Sequence, residues 1–406
     1  MAASIAVLAA GCGSSSKSSA TGGGSSQTSP ASASGSGGPS GSPVVFHAII
    51  SETGSAAFLG SREAKALQAL SNEINASGGI DGHPMRVDIS DNQSTPATAV
   101  QLASPLVAQG VPFLLNGSVV AVDKAVDALA TDNGPFIYDL SPGTHPKAGS
   151  MIFSAGISTA DDAQAYLTFL KSKGLTNVAF INSTDGSGVD GYNQFTTVLK
   201  KSSFSSIHVV DHETFDPTAV STTTQMSKIK AANPQAIIIW TTGTPLGVVL
   251  KAMSSLGMDS IPTVTTDGNA AYAELTKFSS LLPKTLYFPT GPLYVPPSEL
   301  TGGVQQAVSK FDQSVQAAGG HGGDPWGLSY DPALLLVGAL KKLGVNATAK
   351  QILGYMQGLQ GVAGIYGTYN TSESDHRGIG VSSIYMSVWN GSGFQPLSGP
   401  GGVPKS

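Results

Sequence analysis

The chain has a single cysteine, Cys12, in 406 residues. That excludes an intramolecular disulfide framework and any cysteine-based zinc cluster. Charge is scarce too: 12% of residues are Asp, Glu, Lys or Arg, the formal net charge is -5, and there is no long basic run. A nucleic acid would find no positive stripe for its phosphates, so it is excluded as a partner. Beyond residue 12 no apolar stretch reaches the ~18 residues needed to span a bilayer. The body holds no Gly-x-Ser-x-Gly elbow, and no Gly-x-Gly-x-x-Gly follows the first strand. No acid–base–nucleophile set is in view, so the chain reads as a non-enzyme with no cofactor and no metal. His208 and His212 share one face of a predicted strand, but four residues of strand separate them by ~13 Å, too far for one metal ion.

What the sequence does contain begins at its start. Ile5–Ala10 is a short apolar run, and the small residues Ala9, Ala10 and Gly11 precede Cys12. Small side chains suit a signal peptidase cut, and a thiol at the new N-terminus can accept a diacylglycerol group. The stretch resembles the lipobox of bacterial lipoproteins, with Ala9 where the usual pattern has Leu. The resemblance implies a signal peptide over 1–12, lipidation at Cys12, and an extracytoplasmic protein anchored to the cell membrane. No Lys or Arg precedes Cys12, so the translation start is expected to lie upstream. Residues 13–43 are a Ser/Gly/Ala/Pro/Thr tract that cannot bury enough apolar surface to fold. As a flexible linker of about 30 residues it spans roughly 30 Å.

From Val44 onward apolar strands alternate with amphipathic helices. Val44–Ile50 is a β-rich run, Ser61–Asn75 places Ala64, Leu67, Leu70 and Ile74 at helical spacing, and Gly78 and Gly79 end that helix. Further strands are expected at Met85–Ile89, Phe113–Leu115, Phe136–Tyr138, Val178–Ile181, Ile207–Val210 and Ala236–Trp240. Helices are expected between them, among them Ala160–Lys173, Gly191–Lys201 and Pro245–Leu256. Continuous apolar strands separated by helices predict parallel sheets covered on both faces. The length fits two doubly wound lobes. In such sheets ligands bind beyond the carboxyl ends of the strands. The loops there are rich in small hydroxylated and amide residues: Ser51–Gly54, Asn116–Ser118, Leu140–Thr144, Asn182–Gly188, Thr241–Thr244 and Thr265–Gly268. Each precedes a helix start with free N–H groups, and together they read as the lining of a polar cleft.

Four segments carry a resemblance to a known family. Thr53-Gly-Ser-Ala-Ala-Phe-Leu-Gly60, Glu73-Ile-Asn-Ala-Ser-Gly-Gly-Ile-Asp-Gly82, Asp91-Asn-Gln-Ser-Thr-Pro-Ala-Thr-Ala-Val100 and Ser329-Tyr-Asp-Pro-Ala-Leu334 resemble signatures of the branched-chain amino acid type of ABC-transporter substrate-binding protein. The likeness runs from Val44 to Leu397. It implies a type I periplasmic-binding fold, two Rossmann-like lobes joined by a three-strand hinge. One lobe would take 44–157 and 288–378, the other 158–287 and 379–400. It also implies a monomer that captures a small solute for an ABC permease. A ligand-sensing receptor of the same fold, or a binder of an aromatic or carboxylic acid or amide, is the alternative. By the same resemblance the ligand-binding residues are Phe58, Ser118, Ser141, Thr144, Ser187, Thr242 and Asp267. Asp267 would hold a substrate ammonium, with Asp139 a lesser helper. Val119, Val120 and Pro142 depart from the family's hydroxyl and N–H donors, so an amino acid and another polar or aromatic solute both remain open.

Overall fold

The computed structural model describes residues 38–320 and 327–405. Cys12 and the expected signal peptide lie outside the described residues, as does the linker up to residue 37. Its last stretch is held: the N–H groups of Ser40 and Gly41 donate to the Gly82 carbonyl at 3.1 and 2.9 Å.

One sheet contains β1 (Val44–Ile50), β2 (Met85–Asp91), β3 (Phe113–Asn116), β4 (Phe136–Asp139) and β5 (Ile152–Ser154), all parallel, in the order β2-β1-β3-β4-β5. Helices α1 (Ala57–Ala76), α2 (Pro96–Ala108) and α3 (Val120–Asp127) connect the first four strands. The α1 face predicted from spacing is the one that packs: Leu67, Leu70 and Ile74 are buried beside Phe46 and Phe113. Strand β5 was not expected; at three residues it has no alternation to read.

The second sheet has seven strands. Its parallel part is β6 (Asn177–Ser183), β7 (His208–Phe215), β8 (Ala236–Trp240), β9 (Thr263–Thr265) and β10 (Leu286–Thr290). Around them lie α4 (Thr159–Ser172), α5 (Gly186–Leu199), α6 (Thr223–Ala231), α7 (Thr244–Ser255) and α8 (Tyr272–Lys277). After β10 come α9 (Gly302–Ala317), α10 (Tyr330–Leu343) and α11 (Ala349–Met356). Of these, α9 and α10 pack on α1 and α11 packs on β4, so they cover the first sheet. A small antiparallel pair, β11 (Val362–Ala363) and β12 (Thr368–Tyr369), follows. Then β13 (Tyr385–Trp389) and β14 (Phe394–Pro396) return antiparallel to the second sheet, giving the order β14-β13-β10-β9-β8-β6-β7. Residue 288, the expected lobe boundary, falls inside β10, all of which pairs in this sheet.

Helix α5 begins five residues before its expected start at Gly191, because the Asp185 side chain accepts from Gly188 N at 2.9 Å and caps it. The glycine is required there. A Cβ on Gly188 would lie 2.0 Å from the Ser183 carbonyl oxygen, and one on Gly60 in α1 would lie 2.1 Å from that of Ser51. The first strand–helix unit of each lobe is therefore built the same way, with the helix's first turns pressed onto the strand end.

The chain passes between the lobes three times, near residues 155–158, 291–301 and 370–384. Arg377, in the third passage, ties the hinge. Its guanidinium donates to the carbonyls of Ala155 (2.6 Å), Gly156 (3.0 Å), Pro142 (3.0 Å) and Thr144 (2.8 Å). Beside it His376 stacks on Phe153, with ring centroids 4.4 Å apart, and bonds through Nδ1 to the Ile152 carbonyl.

Candidate functional site

The carboxyl ends of β1, β3 and β4 meet those of β6, β8 and β9 across the gap between the lobes. Several contacts among the described residues cross it. The Phe58 ring lies over Gly243, where an added Cβ would sit 2.5 Å from the ring. Val120 at the start of α3 packs near Gly186 at the start of α5. At the rim His145 Nε2 lies 2.7 Å from Asp190 Oδ1. From α1, Arg62 Nη2 donates to the Gly268 carbonyl at 3.0 Å and Nη1 to that of Ala270 at 3.3 Å. Tyr294, after β10, also donates to the Ala270 carbonyl, at 3.2 Å.

Between these contacts lies a narrow crevice of about 10 Å³, lined by Arg62, Glu63, Asp267, Gly268, Tyr294 and Tyr366 among others, with room for about one water molecule while the lobes are together. The helical turn of α1 places Arg62 toward the second lobe and Glu63 inward. Glu63 is 2% exposed. Its Oε2 accepts a 2.5 Å hydrogen bond from Ser118 Oγ, and its Oε1 is buried with no partner. Burial pushes its carboxyl up to about 7, against the Ser118 hydrogen bond and the Arg62 charge. Asp267 is pushed up to about 6, again by burial, with the Gly268 N–H and the Arg62 and Arg377 charges opposing. Burial also raises the Tyr294 and Tyr366 phenols, so both are neutral donors.

Of the seven residues singled out from the sequence, Asp267 lines this crevice. Phe58 and Thr242 flank it, Phe58 against Gly243 and the Thr242 methyl against Gly268. The Ser118 hydroxyl is engaged inside the first lobe: it donates to Glu63 and accepts from Ser51 N at 3.1 Å. Ser118 also takes a φ of 107°, strained for a residue with a side chain. The backbone of Ser141 donates to Asp123 (3.0 Å) and accepts from Thr144 Oγ1 (3.1 Å), so Ser141 and Thr144 sit in a buried first-lobe network. Ser187 is half-exposed in the first turn of α5. Asp139 is fully buried, bonded to Asn116 Nδ2 at 3.1 Å, and its carboxyl is raised by burial and by Asp127 beside it.

Arg62, Glu63, Tyr294 and Tyr366 were not read as site residues. Glu63 carried a signal: it stands four residues before Leu67, in register with the apolar stripe Leu67, Leu70 and Ile74. A carboxylate in line with a buried stripe is out of place unless it has a task.

Residues 44–393 match a family described as periplasmic binding protein. A Leu/Ile/Val-binding protein homolog of Brucella abortus is 30% identical over 112 residues, which is 27% of this chain; the chain thus matches only 30% of that relative's length. Among solved structures, an extracellular ligand-binding receptor from Rhodopseudomonas palustris superposes with a TM-score of 0.77 at 19% identity, covering 88% of this chain and 100% of that one. A branched-chain amino acid transporter substrate-binding protein from Streptococcus pneumoniae, in complex with isoleucine, gives 0.72 at 20% identity over 87% of this chain and 98% of its own. A leucine-binding protein from Thermotoga maritima gives 0.72 at 18%, over 87% and 97%. At these identities the structural likeness is one of fold.

Proposed function

We propose that this chain, which belongs to the periplasmic binding protein family, captures a small polar solute, an amino acid or a related compound, between its lobes and delivers it to an ABC permease. Membership in the family implies ligand binding and an extracytoplasmic location. The observation that carries the finer reading is the crevice itself. It lies between two lobes, and it contains ionisable side chains from both, Glu63 and Asp267. A solute touching both lobes favours the arrangement in which they are together, and that shift of population is the signal a permease can read. Asp267 supplies an acceptor for an ammonium group, Phe58 and Thr242 flank the entrance, and neutral Tyr366 supplies a hydroxyl donor. Ser118, Ser141, Thr144 and Ser187 complete the proposed wall. Cys12 carries the lipid that holds the protein at the membrane, with the linker as its tether.

A thermal-shift screen over amino acids, amides, short-chain acids and aromatic acids tests the capture. A ligand at a hundred times its Kd adds about 2.7 kcal/mol of stability, a rise that stands out in a melt. The expected result is one chemical series that raises Tm and also contracts the particle in small-angle scattering. Stabilisation without contraction, or no stabilising compound, overturns the reading. The tether is tested separately, by the intact mass of membrane-extracted protein and by release of C12A to the soluble fraction.

A further inference from the structure

We propose that the amino-terminal edge of the second sheet, the edge turned away from the interlobe gap, is a docking surface for a flexible phosphate-bearing polymer of the cell envelope.

Strands β6 to β10 run parallel, so the segments that lead into them emerge at one edge. Those segments, 171–176, 200–207, 230–235, 256–262 and 282–285, hold Lys171, Lys173, Lys200, Lys201, Lys230 and Lys284 against one acid, Asp259. No two of the segments adjoin in the chain, so no basic run marks the face in the sequence. All six lysines are exposed. Hydrogen bonds knit the segments together: Lys171 Nζ donates to the Ser203 carbonyl (2.7 Å), Lys230 Nζ to that of Leu256 (2.6 Å), and the Lys284 N–H to that of Asp259 (2.8 Å). These acceptors are neutral, and among the described residues none of the six lysines is in an ion pair. At the gap, the segments that leave the same strands carry Asp185, Asp216, Asp267 and Glu299 and no Lys or Arg. Lysines at helix ends complement the helix dipole, but that account would serve both lobes alike. The segments leading into β1 to β4 of the first sheet hold Asp81 and Asp132 and no Lys or Arg, and neither α1 nor α2 has a basic residue in its last turn. The positive charge belongs to the second lobe alone.

The character of the face and the position of the linker select the partner. Interfaces between folded proteins centre on aromatic and apolar anchors and are poor in lysine. None of the exposed large apolar side chains among the described residues lies in these segments. A membrane surface fits poorly as well. Ser40 and Gly41 are held at Gly82, in the segment entering β2, so the linker joins at the amino-terminal edge of the first sheet. The carboxyl ends of the two sheets face each other, which puts the two amino-terminal edges at opposite ends of the molecule. A linker that spans roughly 30 Å would have to double back along both lobes to lay the lysines on a membrane. A flexible polyanion needs no apolar anchor: it meets spaced lysines with its phosphates and gains free energy by shedding counterions. The extracytoplasmic location implied by the family makes that polyanion a polymer of the envelope rather than a nucleic acid.

Fluorescence anisotropy with end-labelled long-chain polyphosphate tests the proposal on the full chain. Binding is expected in roughly the micromolar range at about 50 mM salt, weakening about a hundredfold by about 200 mM as roughly five phosphates are contacted. K173Q/K200Q/K284Q removes three charges and leaves the main-chain hydrogen bonds of Lys171 and Lys230 in place. It is expected to bind about tenfold more weakly at about 100 mM salt, with a shallower salt slope. K341Q/K342Q/K350Q makes the same change in net charge on α10 and α11, and is expected to change binding by less than about threefold. In the wild type, polyphosphate should shield Lys173, Lys200 and Lys284 from acetylation, read by mass spectrometry, which probes the face without any substitution. No binding at the lower salt, an equal loss in the two triple variants, or lysines left unshielded each overturns the proposal. Capture by phosphatidylglycerol vesicles without binding of polyphosphate also overturns it and assigns this edge to a membrane surface.

Discussion

Arg62 Nη2 on α1 lies 3.0 Å from the carbonyl oxygen of Gly268, on the far side of the interlobe gap. With its second bond to Ala270, one side chain of the first lobe is fastened to the backbone of the second. Hydrogen bonds from a charged donor contribute about 1.5–3 kcal/mol each. R62A is expected to raise the radius of gyration of the ligand-free protein in small-angle scattering, and to weaken solute binding about tenfold by depopulating the closed form. An unchanged radius would show that the other contacts across the gap suffice.

Stability is expected to fall as pH rises. Glu63 has a folded pKa of about 7 against an ordinary 4.5. The folded state therefore binds the proton more tightly. The stabilisation is complete below 4.5 and is lost as pH climbs through about 7. At about 1.4 kcal/mol for each tenfold change in proton affinity, the ceiling is about 3 kcal/mol. E63Q should melt with the wild type at pH 5 and above it at pH 8. A shallower slope should persist in E63Q, because burial raises Asp267, Asp127, Asp123 and Asp139 in the same direction.

Arg377 meets four backbone carbonyls with one guanidinium. R377M keeps the aliphatic stem and strands those acceptors in a buried setting. A loss of roughly 3–5 kcal/mol in denaturant unfolding is expected. R377K restores the charge but not the planar fork, and should recover only part of it.

The two glycines pressed onto strand ends predict matched defects. G60A and G188A each put a Cβ about 2 Å from a main-chain oxygen, Ser51 and Ser183 respectively, which cannot rotate away. Each is expected to cost roughly 1–3 kcal/mol in thermal or denaturant melts. G257A makes a useful contrast: its strain would come from its φ of +66° alone, since nothing lies near its Cβ position.

The fold was legible where burial imposes a period. The stripe Leu67, Leu70 and Ile74 marks α1, and the run Ala236–Trp240 marks β8, because each must be covered by its neighbours. What escaped was short or locally ambiguous. Gly186 and Gly188 read as loop, although a cap from Asp185 and a tight approach to Ser183 make them helical. From the residues alone the site was legible only as polar strand-end loops, and it was the resemblance to the family that singled out Asp267 in one of them. Arg62 and Glu63 sit on α1, outside those loops. The register of Glu63 with the apolar stripe marks it as buried, but the partners of Arg62 and Glu63, Gly268 and Ser118, lie more than 50 residues away in the chain, and no local pattern names them.

The wiring of the first lobe has a consequence for biosynthesis. Its sheet is complete by Ser154, yet the helices that cover it, α9 to α11, begin at Gly302. A ribosome adding roughly 5–20 residues per second leaves α1 and the β4 region without that cover for on the order of ten seconds or more. The nascent chain cannot finish either half early, so it stays loose and chaperone-accessible through most of its synthesis, the state in which a polypeptide can be threaded through an export channel.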